Sequence, residues 1–149
     1  MAAYLFGWNP LKFVWSDIDR DIDRLKLTGS VVDDWSVASH KTIKPGDRAY
    51  IVRVGVEPKG ICASGFVKSA PYIAIRNGRH YYRIKIELDV LLNPDNERIL
   101  GLDVLKTGNL VAQLWAPQAS GISIRPQLVD ELEGVWMCFL SEHAYYGKL

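Results

Sequence analysis

The sequence has few of the residues that most often hold metal ions or carry nucleophilic catalysis. It contains only two cysteines, Cys62 and Cys138, and three histidines, which lie far apart along the chain. Neither group has the spacing of a zinc site, and the histidines suggest no Ser-His-Asp triad. We therefore expect no metal and no other cofactor. We interpret both cysteines as reduced, buried side chains of a cytoplasmic protein.

Several motifs of enzymes and membrane proteins are also missing. The sequence contains no Gly-rich phosphate loop, no Gly-x-Ser-x-Gly elbow and no His-Glu-x-x-His motif. No apolar run approaches the roughly 20 residues of a membrane span, and the N-terminus lacks the pattern of a secretory signal. These absences favour a binding module over an enzyme, with no membrane partner.

The length of 149 residues predicts a single domain that spans 1–149. Period-two apolar patterns predict strands at 2–8, 49–54 and 61–68, and the dipeptide Asn77-Gly78 predicts a tight hairpin. A helix is predicted from Ser16 to Leu27, with Ser16 and Asp19 as a capping box. The predictions for the remainder are a short helix at 100–106, an extended segment at 110–115, a last helix that begins at Pro126, and a frayed end or linker at 145–149.

The charge of the chain is unevenly distributed. The whole chain has a formal charge of +1, yet residues 40–85 contain ten lysines and arginines and two acids. A segment this basic is typical of a protein that binds a polyanion such as nucleic acid. The alternative is that the cations lie scattered on exposed faces of a sheet.

An aromatic residue and a basic run lie close together between residues 33 and 50. Trp35 follows two aspartates in what we interpret as a loop, and the basic run from Lys41 to Lys44 follows. Pro45-Gly46 then supplies a turn, and Arg48 precedes a strand. An aromatic ring beside positive charge can hold a nucleic-acid base and its phosphates. The alternative is a tryptophan of the core with a solvated basic rim.

Other polar residues occupy positions that suit a binding site. Asn9 ends the first strand, because Pro10 cannot continue it, although an asparagine there is often only a turn residue. Arg76 and Arg79 flank the hairpin tip, where they would reach phosphates or simply lie in solvent. The small polar loop 118–121 could close over a base with its backbone groups.

Six short segments match one protein family in the same order. They are Trp8-Asn9-Pro10, Trp35-Ser36-Val37, Lys44-Pro45-Gly46-Asp47-Arg48, Gly60 to Gly65, Ser69-Ala70-Pro71-Tyr72 and Gln118 to Ile124. The sequence resembles an EVE domain, a member of the PUA-like group that is similar to the YTH readers of methylated adenine. The segment Gln118 to Ile124 resembles in particular the EVE modules fused to HNH nucleases in modification-dependent restriction. The EVE resemblance as a whole covers nearly the entire chain.

The resemblance implies an α+β fold, a PUA-like mixed β-barrel flanked by short helices. It also implies that one modified base is flipped out of its stack into an aromatic pocket. The predicted partner is double-stranded DNA that carries 5-methylcytosine or 5-hydroxymethylcytosine, with 6-methyladenine next. An HNH nuclease domain, fused or separate, is a further expected partner, since this chain lacks clustered histidine and asparagine ligands.

The predicted site has two parts. Stacking on Trp35 and hydrogen bonds to the base edge define a base pocket. The expected pocket residues are Trp8, Asn9, Trp35, Ser36, Trp115, Gln118, Ser120 and Gly121. The expected contacts to the nucleic-acid backbone are Lys41, Lys44, Arg48, Arg76, Arg79 and Arg83.

Two other functions remain open from the sequence. The first is an RNA reader of the YTH type, because the same pocket chemistry would accept a base from single-stranded RNA. The second is a small amidohydrolase that acts on modified nucleosides, since PUA-like folds resemble such enzymes. Lys41, Thr42 and Glu57 would then be the catalytic residues, although their spacing does not match well.

Overall fold

The computed structural model describes residues 1–143 and contains eight strands and three α-helices in that range. The prediction for 145–149 lies outside the described residues. The strands are β1 (Ala3–Trp8), β2 (Val31–Ser36), β3 (Arg48–Arg53), β4 (Gly60–Val67), β5 (Tyr72–Arg76), β6 (Arg79–Leu91), β7 (Leu100–Gly101) and β8 (Ile122–Ser123). The helices are α1 (Ile18–Thr28), α2 (Leu102–Leu105) and α3 (Val129–Glu142), with 3₁₀ turns at Gly108–Ala112 and Pro126–Leu128.

Six strands form one curled sheet in the order β2-β6-β4-β3-β1-β8. β5 pairs with the start of β6, and β7 pairs with β4. The pairing is antiparallel except between β1 and β3, which run parallel. Two backbone bonds join segments next to the two ends of the sheet, from Ala38 N to Ser120 O at 2.8 Å and from Ser39 N to Gly121 O at 3.0 Å. The fold is therefore α+β, with a half-barrel sheet, as predicted at this level.

The core lies inside this curled sheet. β1 and β3 are buried on both faces, which explains their nearly continuous apolar sequences. α1 contributes a stripe of Ile18, Ile22 and Leu25, and it ends at Gly29 in the left-handed conformation. Trp136 of α3 is fully buried, as its spacing predicted. Within residues 1–143, no helix is long and apolar enough to cross a lipid bilayer.

Two predictions from glycine positions are confirmed. The Asn77-Gly78 turn has φ values of 52° and 75°, the signature of a type I′ hairpin. The glycine within the apolar strand pattern at Gly65 predicts a bulge or a close backbone approach. There the register of β4 against β6 shifts, and a Cβ would collide with the carbonyl of Glu87. The hairpin carries Arg76 and Arg79 at an exposed tip.

Three local predictions are wrong. α1 begins at Ile18 without a side-chain cap, because the Asp17 carboxylate pairs with Arg20 at 2.8 Å. Segment 110–115 is not extended, since the indole of Trp115 donates to the Leu110 carbonyl at 2.8 Å and holds the chain in a turn. Cys138 is exposed on α3, whereas Cys62 is buried as expected.

Gly134 lies in the middle of α3, where the sequence predicts close packing against a neighbour. A Cβ at this position has no atom within 4 Å, and the residue is exposed. Gly134→Ala should therefore stabilise the protein by roughly 1 kcal/mol, the helix-propensity difference between the two residues. Urea unfolding would measure this gain. Gly65→Ala is the opposite control and should destabilise the protein, because the new methyl group would collide with the Glu87 carbonyl.

Candidate nucleic-acid-binding site

A cavity of about 1010 Å³ opens where β1 and β2 end, β6 begins and the loop before β8 passes. Its volume matches the upper range of small-molecule sites. The lining residues come from five separate parts of the chain. They are Gly7, Trp8, Asn9, Lys12, Phe13, Trp15, Asp33, Asp34, Trp35, Ser36, Val54, Gly55, Arg76, Arg83, Ala116, Pro117, Gln118 and Ser120.

Three tryptophans pack against one another in the wall of this cavity. Trp15 lies between the other two, with its ring centroid 5.4 Å from that of Trp8 and 5.6 Å from that of Trp35. The interplanar angles of 82° and 66° are edge-to-face contacts, which the ring quadrupoles favour. Further contacts fix two of the rings, since Trp8 Nε1 donates to the Phe13 carbonyl at 2.9 Å and Trp15 Nε1 donates to the Asp21 carboxylate at 3.0 Å.

Trp35 lies in strand β2, not in the loop that the sequence predicts. The pairing of β2 with β6 places Trp35 opposite Ile84, on the same face of the strand as Asp33. The side chain is half-buried and meets Phe6 edge-to-face at 6.5 Å. Its indole Nε1 is buried and has no hydrogen-bond partner among residues 1–143. A stiff strand therefore presents this ring to the cavity.

The cavity also brings together the predicted polar residues Asn9, Ser36, Gln118 and Ser120. Asn9 combines both roles that the sequence left open. Its Oδ1 accepts the Leu11 N–H at 3.0 Å in a turn, and its side chain also borders the cavity. Ser120 Oγ accepts the Gly7 N–H at 3.2 Å, which fixes the loop against β1.

Two predicted pocket residues do not line the cavity. Trp115 is 2% exposed, and its indole bond to Leu110 places it in the core. Gly121 is buried with φ 77°, and a Cβ there would lie 2.8 Å from Val37 Cα. Its N–H donates to the Leu5 carbonyl at 2.9 Å. Gly121 therefore allows the loop to approach β1 closely, and a bound molecule would not contact it.

The predicted cations other than Arg48 are distributed over three environments. Arg76 and Arg83 line the cavity, and Arg83 Nη2 donates to the Asp34 carbonyl at 2.8 Å. Arg79 is exposed at the hairpin tip. Lys41 and Lys44 are exposed on the turn between β2 and β3 and do not line the cavity.

Arg48 is not available to a nucleic-acid backbone, so this prediction is wrong. Its side chain is only 6% exposed and forms salt bridges with Asp89 at 2.9 Å and Glu133 at 3.2 Å. It also donates to the Gly65 carbonyl at 3.1 Å, and Tyr50 donates to Glu133. Burial and the bond to Glu133 raise the pKa of Tyr50 above its ordinary value.

Pairing also reduces the charge of the basic segment 40–85. Acids outside the segment pair with its cations, so the count along the sequence overstates the free positive charge. The pairs are Arg48 with Asp89 and Glu133, Arg53 with Asp95, Lys68 with Glu87, and Lys85 with Asp34. Arg76, Arg79 and Lys41 have no salt bridge among the described residues.

Sequence reasoning missed ten of the lining residues, among them Lys12, Phe13, Trp15 and Asp33. Asp33 has the most unusual chemistry of these. Its Oδ2 is buried and unpartnered within residues 1–143. Burial, followed by repulsion from Asp21, Asp34 and Asp17, raises the pKa of Asp33 to about 6. The adjacent Trp35 was a sequence signal for the site, but nothing in the sequence shows that α1 covers this side of β2.

A second depression lies beside the turn between β3 and β4, with a volume of about 840 Å³. Glu57, one of the three amidohydrolase candidates, lines it. Lys41 and Thr42 line neither this depression nor the tryptophan cavity, and Thr42 is bonded to the Tyr4 hydroxyl at 2.9 Å. No group of three potential metal ligands occurs within the described range 1–143.

Comparison with known proteins gives relatives by structure alone. No protein-family model matches the sequence, and no curated protein matches it. The crystal structure of protein PSPTO5229 from Pseudomonas syringae is similar, with a TM-score of 0.61 and 16% identity over 90% of this chain and 99% of that chain. The NMR structure of Rpa0253 from Rhodopseudomonas palustris has a TM-score of 0.50 and 19% identity over 75% of this chain and 74% of that chain. At these identities the likeness concerns the fold.

Proposed function

We propose that this protein is a PUA-like reader of a modified base, 5-methylcytosine or 5-hydroxymethylcytosine, in double-stranded DNA. The observation that carries the proposal is the cavity of about 1010 Å³ lined by Trp8, Trp15 and Trp35 and bordered by Arg76 and Arg83. An aromatic cavity beside cations suits a flipped base whose phosphates remain outside. The curled α+β sheet is consistent with a PUA-like fold.

The proposed mechanism is a balance between unstacking and capture. Extruding a base from a duplex costs a few kcal/mol. Stacking on an aromatic ring returns roughly 1–3 kcal/mol. Trp35 is suited to this role because it is half-buried and held on a strand. The polar side chains of Ser36 and Gln118 border the same cavity and are placed to bind the base edge.

The modification itself would add little energy. One methyl group contributes about 0.8 kcal/mol when it is buried, so discrimination against the plain base should be several-fold. Phosphate contacts from Arg76 and Arg83 would supply affinity that does not depend on the modification. Such a reader acts as the specificity domain of a modification-dependent restriction system, with cleavage by an HNH nuclease partner.

A binding titration with matched duplexes tests the proposal. We expect the protein to bind a duplex with one 5-methylcytosine several-fold more tightly than the same plain duplex at equal salt. Fluorescence is a suitable readout, because three tryptophans line the cavity. Equal, salt-dependent affinity for both duplexes would contradict the proposal. Stronger competition by methylated single-stranded RNA would favour an RNA reader instead.

A further inference from the structure

Two polar atoms of the tryptophan cavity are buried without a hydrogen-bond partner among residues 1–143. They are Oδ2 of Asp33 and Nε1 of Trp35, which lie two residues apart on one face of β2. A buried polar group that lacks a partner destabilises the protein. Both residues line the cavity, so a ligand that draws the side chain toward the opening would supply the missing bond.

The surroundings of Asp33 favour its neutral carboxyl form. Its neighbours include acids from α1 and the turn before it, and Arg83 and Lys85 of β6 are bonded to Asp34. The titratable and charged groups that face it or border the same cavity are Asp17, Asp21, Asp34, Lys12, Arg76 and Arg83. Lys85 is bonded to the Asp34 carboxylate at 2.9 Å, and Arg83 is bonded to the Asp34 carbonyl at 2.8 Å.

We propose that Asp33 binds the Watson–Crick edge of the captured base as a neutral carboxyl group, so that base binding takes up a proton. This inference rests on the proposed base-reader function and adds a residue that binds the base directly. Asp33 places a carboxyl group in the aromatic cavity that Ser36 and Gln118 also line. A carboxyl turns broadly about its Cβ–Cγ bond, so either oxygen can face the base.

The chemistry of the base edge requires the proton. A neutral cytosine presents the N4 amino group as a donor next to N3 as an acceptor. A neutral carboxyl has one O–H donor and one C=O acceptor, which match this pair. An ionised carboxylate has acceptors only, so one oxygen would face the N3 lone pair. The protonated form of Asp33 is therefore the form that binds.

The pH dependence follows from this requirement. The pKa of Asp33 is about 6 in the free protein. Affinity should be greatest below that pH and should fall as the pH rises through it. Because only the protonated fraction binds, the dissociation constant should increase about 25-fold from about pH 5.5 to about pH 7.5. Proton uptake by the complex should approach one per base at the upper pH.

Calorimetry of the whole chain with the methylated duplex tests the inference. Titrations at about pH 7.5 in buffers of different ionisation enthalpy measure the protons taken up. Asp33→Asn is the informative variant, because a carboxamide also pairs one donor with one acceptor. We expect it to bind at both pH values and to remove the 25-fold dependence. Asp33→Leu should bind weakly at both.

Asp23→Asn is the matched control. Asp23 is exposed on α1 and does not line the cavity, so this variant removes the same charge and should keep the pH profile. Every other titratable group is common to the wild type and Asp33→Asn, so the difference between their pH profiles isolates Asp33. If the protein prefers the methylated duplex but Asp33→Asn retains the proton uptake, the inference is overturned. Affinity that rises with pH would also overturn it. A protein that shows no preference for the methylated duplex would instead refute the proposed function.

Discussion

Trp35→Ala should weaken binding to a duplex with one 5-methylcytosine by about 5- to 150-fold. This range corresponds to the roughly 1–3 kcal/mol that stacking on one aromatic side chain contributes. The indole lines the cavity and is half-buried on a strand, so its loss removes a fixed stacking surface. Binding to the plain duplex should change much less, because phosphate contacts dominate there. Fluorescence anisotropy of a labelled duplex would measure both affinities.

Two variants separate stacking from folding in this experiment. Trp35→Phe keeps an aromatic face and should retain most of the preference for the methylated duplex. Trp136→Phe changes a fully buried tryptophan of α3, so it should lower Tm without altering the ratio of the two affinities. If folded Trp35→Ala protein binds the methylated duplex as tightly as the wild type, another surface holds the base.

Arg48→Met should lower the free energy of unfolding by about 3 kcal/mol. Removing one member of a buried ion pair typically costs about 3–5 kcal/mol, because the remaining charge has no partner. The lower end applies here, since the side chains of Asp89 and Glu133 are 42% and 39% exposed and water can reach them. Urea denaturation at constant pH would measure the loss.

The same variant tests whether Arg48 contacts DNA. We expect its affinity for DNA and the salt dependence of binding to equal those of the wild type, once the folded fraction is corrected. Lys68→Met is the comparison for stability, because Lys68 forms an exposed pair with Glu87 at 3.2 Å and should contribute almost nothing. A weaker dependence of DNA affinity on salt in Arg48→Met would instead indicate that Arg48 contacts a phosphate, contrary to what its burial indicates.

Short-range signals in the sequence predicted much of the fold. The Asn77-Gly78 hairpin, the glycine that ends α1 and the apolar stripe of α3 each depend on neighbours within a few residues. β2 was missed, because Asp33 and Asp34 disfavour strands and made the segment read as a loop. Its strand conformation comes from pairing with β6, about fifty residues away. The parallel pairing of β1 with β3 likewise has no local sequence signal.

The site residues were predictable where the signal lay within one short segment of the sequence. Trp35, Trp8, Asn9, Gln118 and Ser120 were all expected in one pocket, and all line the cavity. The errors came from long-range packing, which no spacing in the sequence reveals. Arg48 follows a turn in a basic run, yet Glu133 of α3 neutralises it. Trp15 and Asp33 join the site only because α1 folds over the end of β2.

The two backbone bonds from Ala38 and Ser39 to Ser120 and Gly121 connect the segment after β2 with the loop before β8. The segment that follows Trp35 is thus fastened to the loop that contains Gln118. A nucleotide that binds in the cavity would not have to order these two segments, so little conformational entropy would be lost on binding. The rate of capture should then depend on how often a base pair of the duplex opens. The amide protons of Ala38 and Ser39 should exchange slowly even in the ligand-free protein.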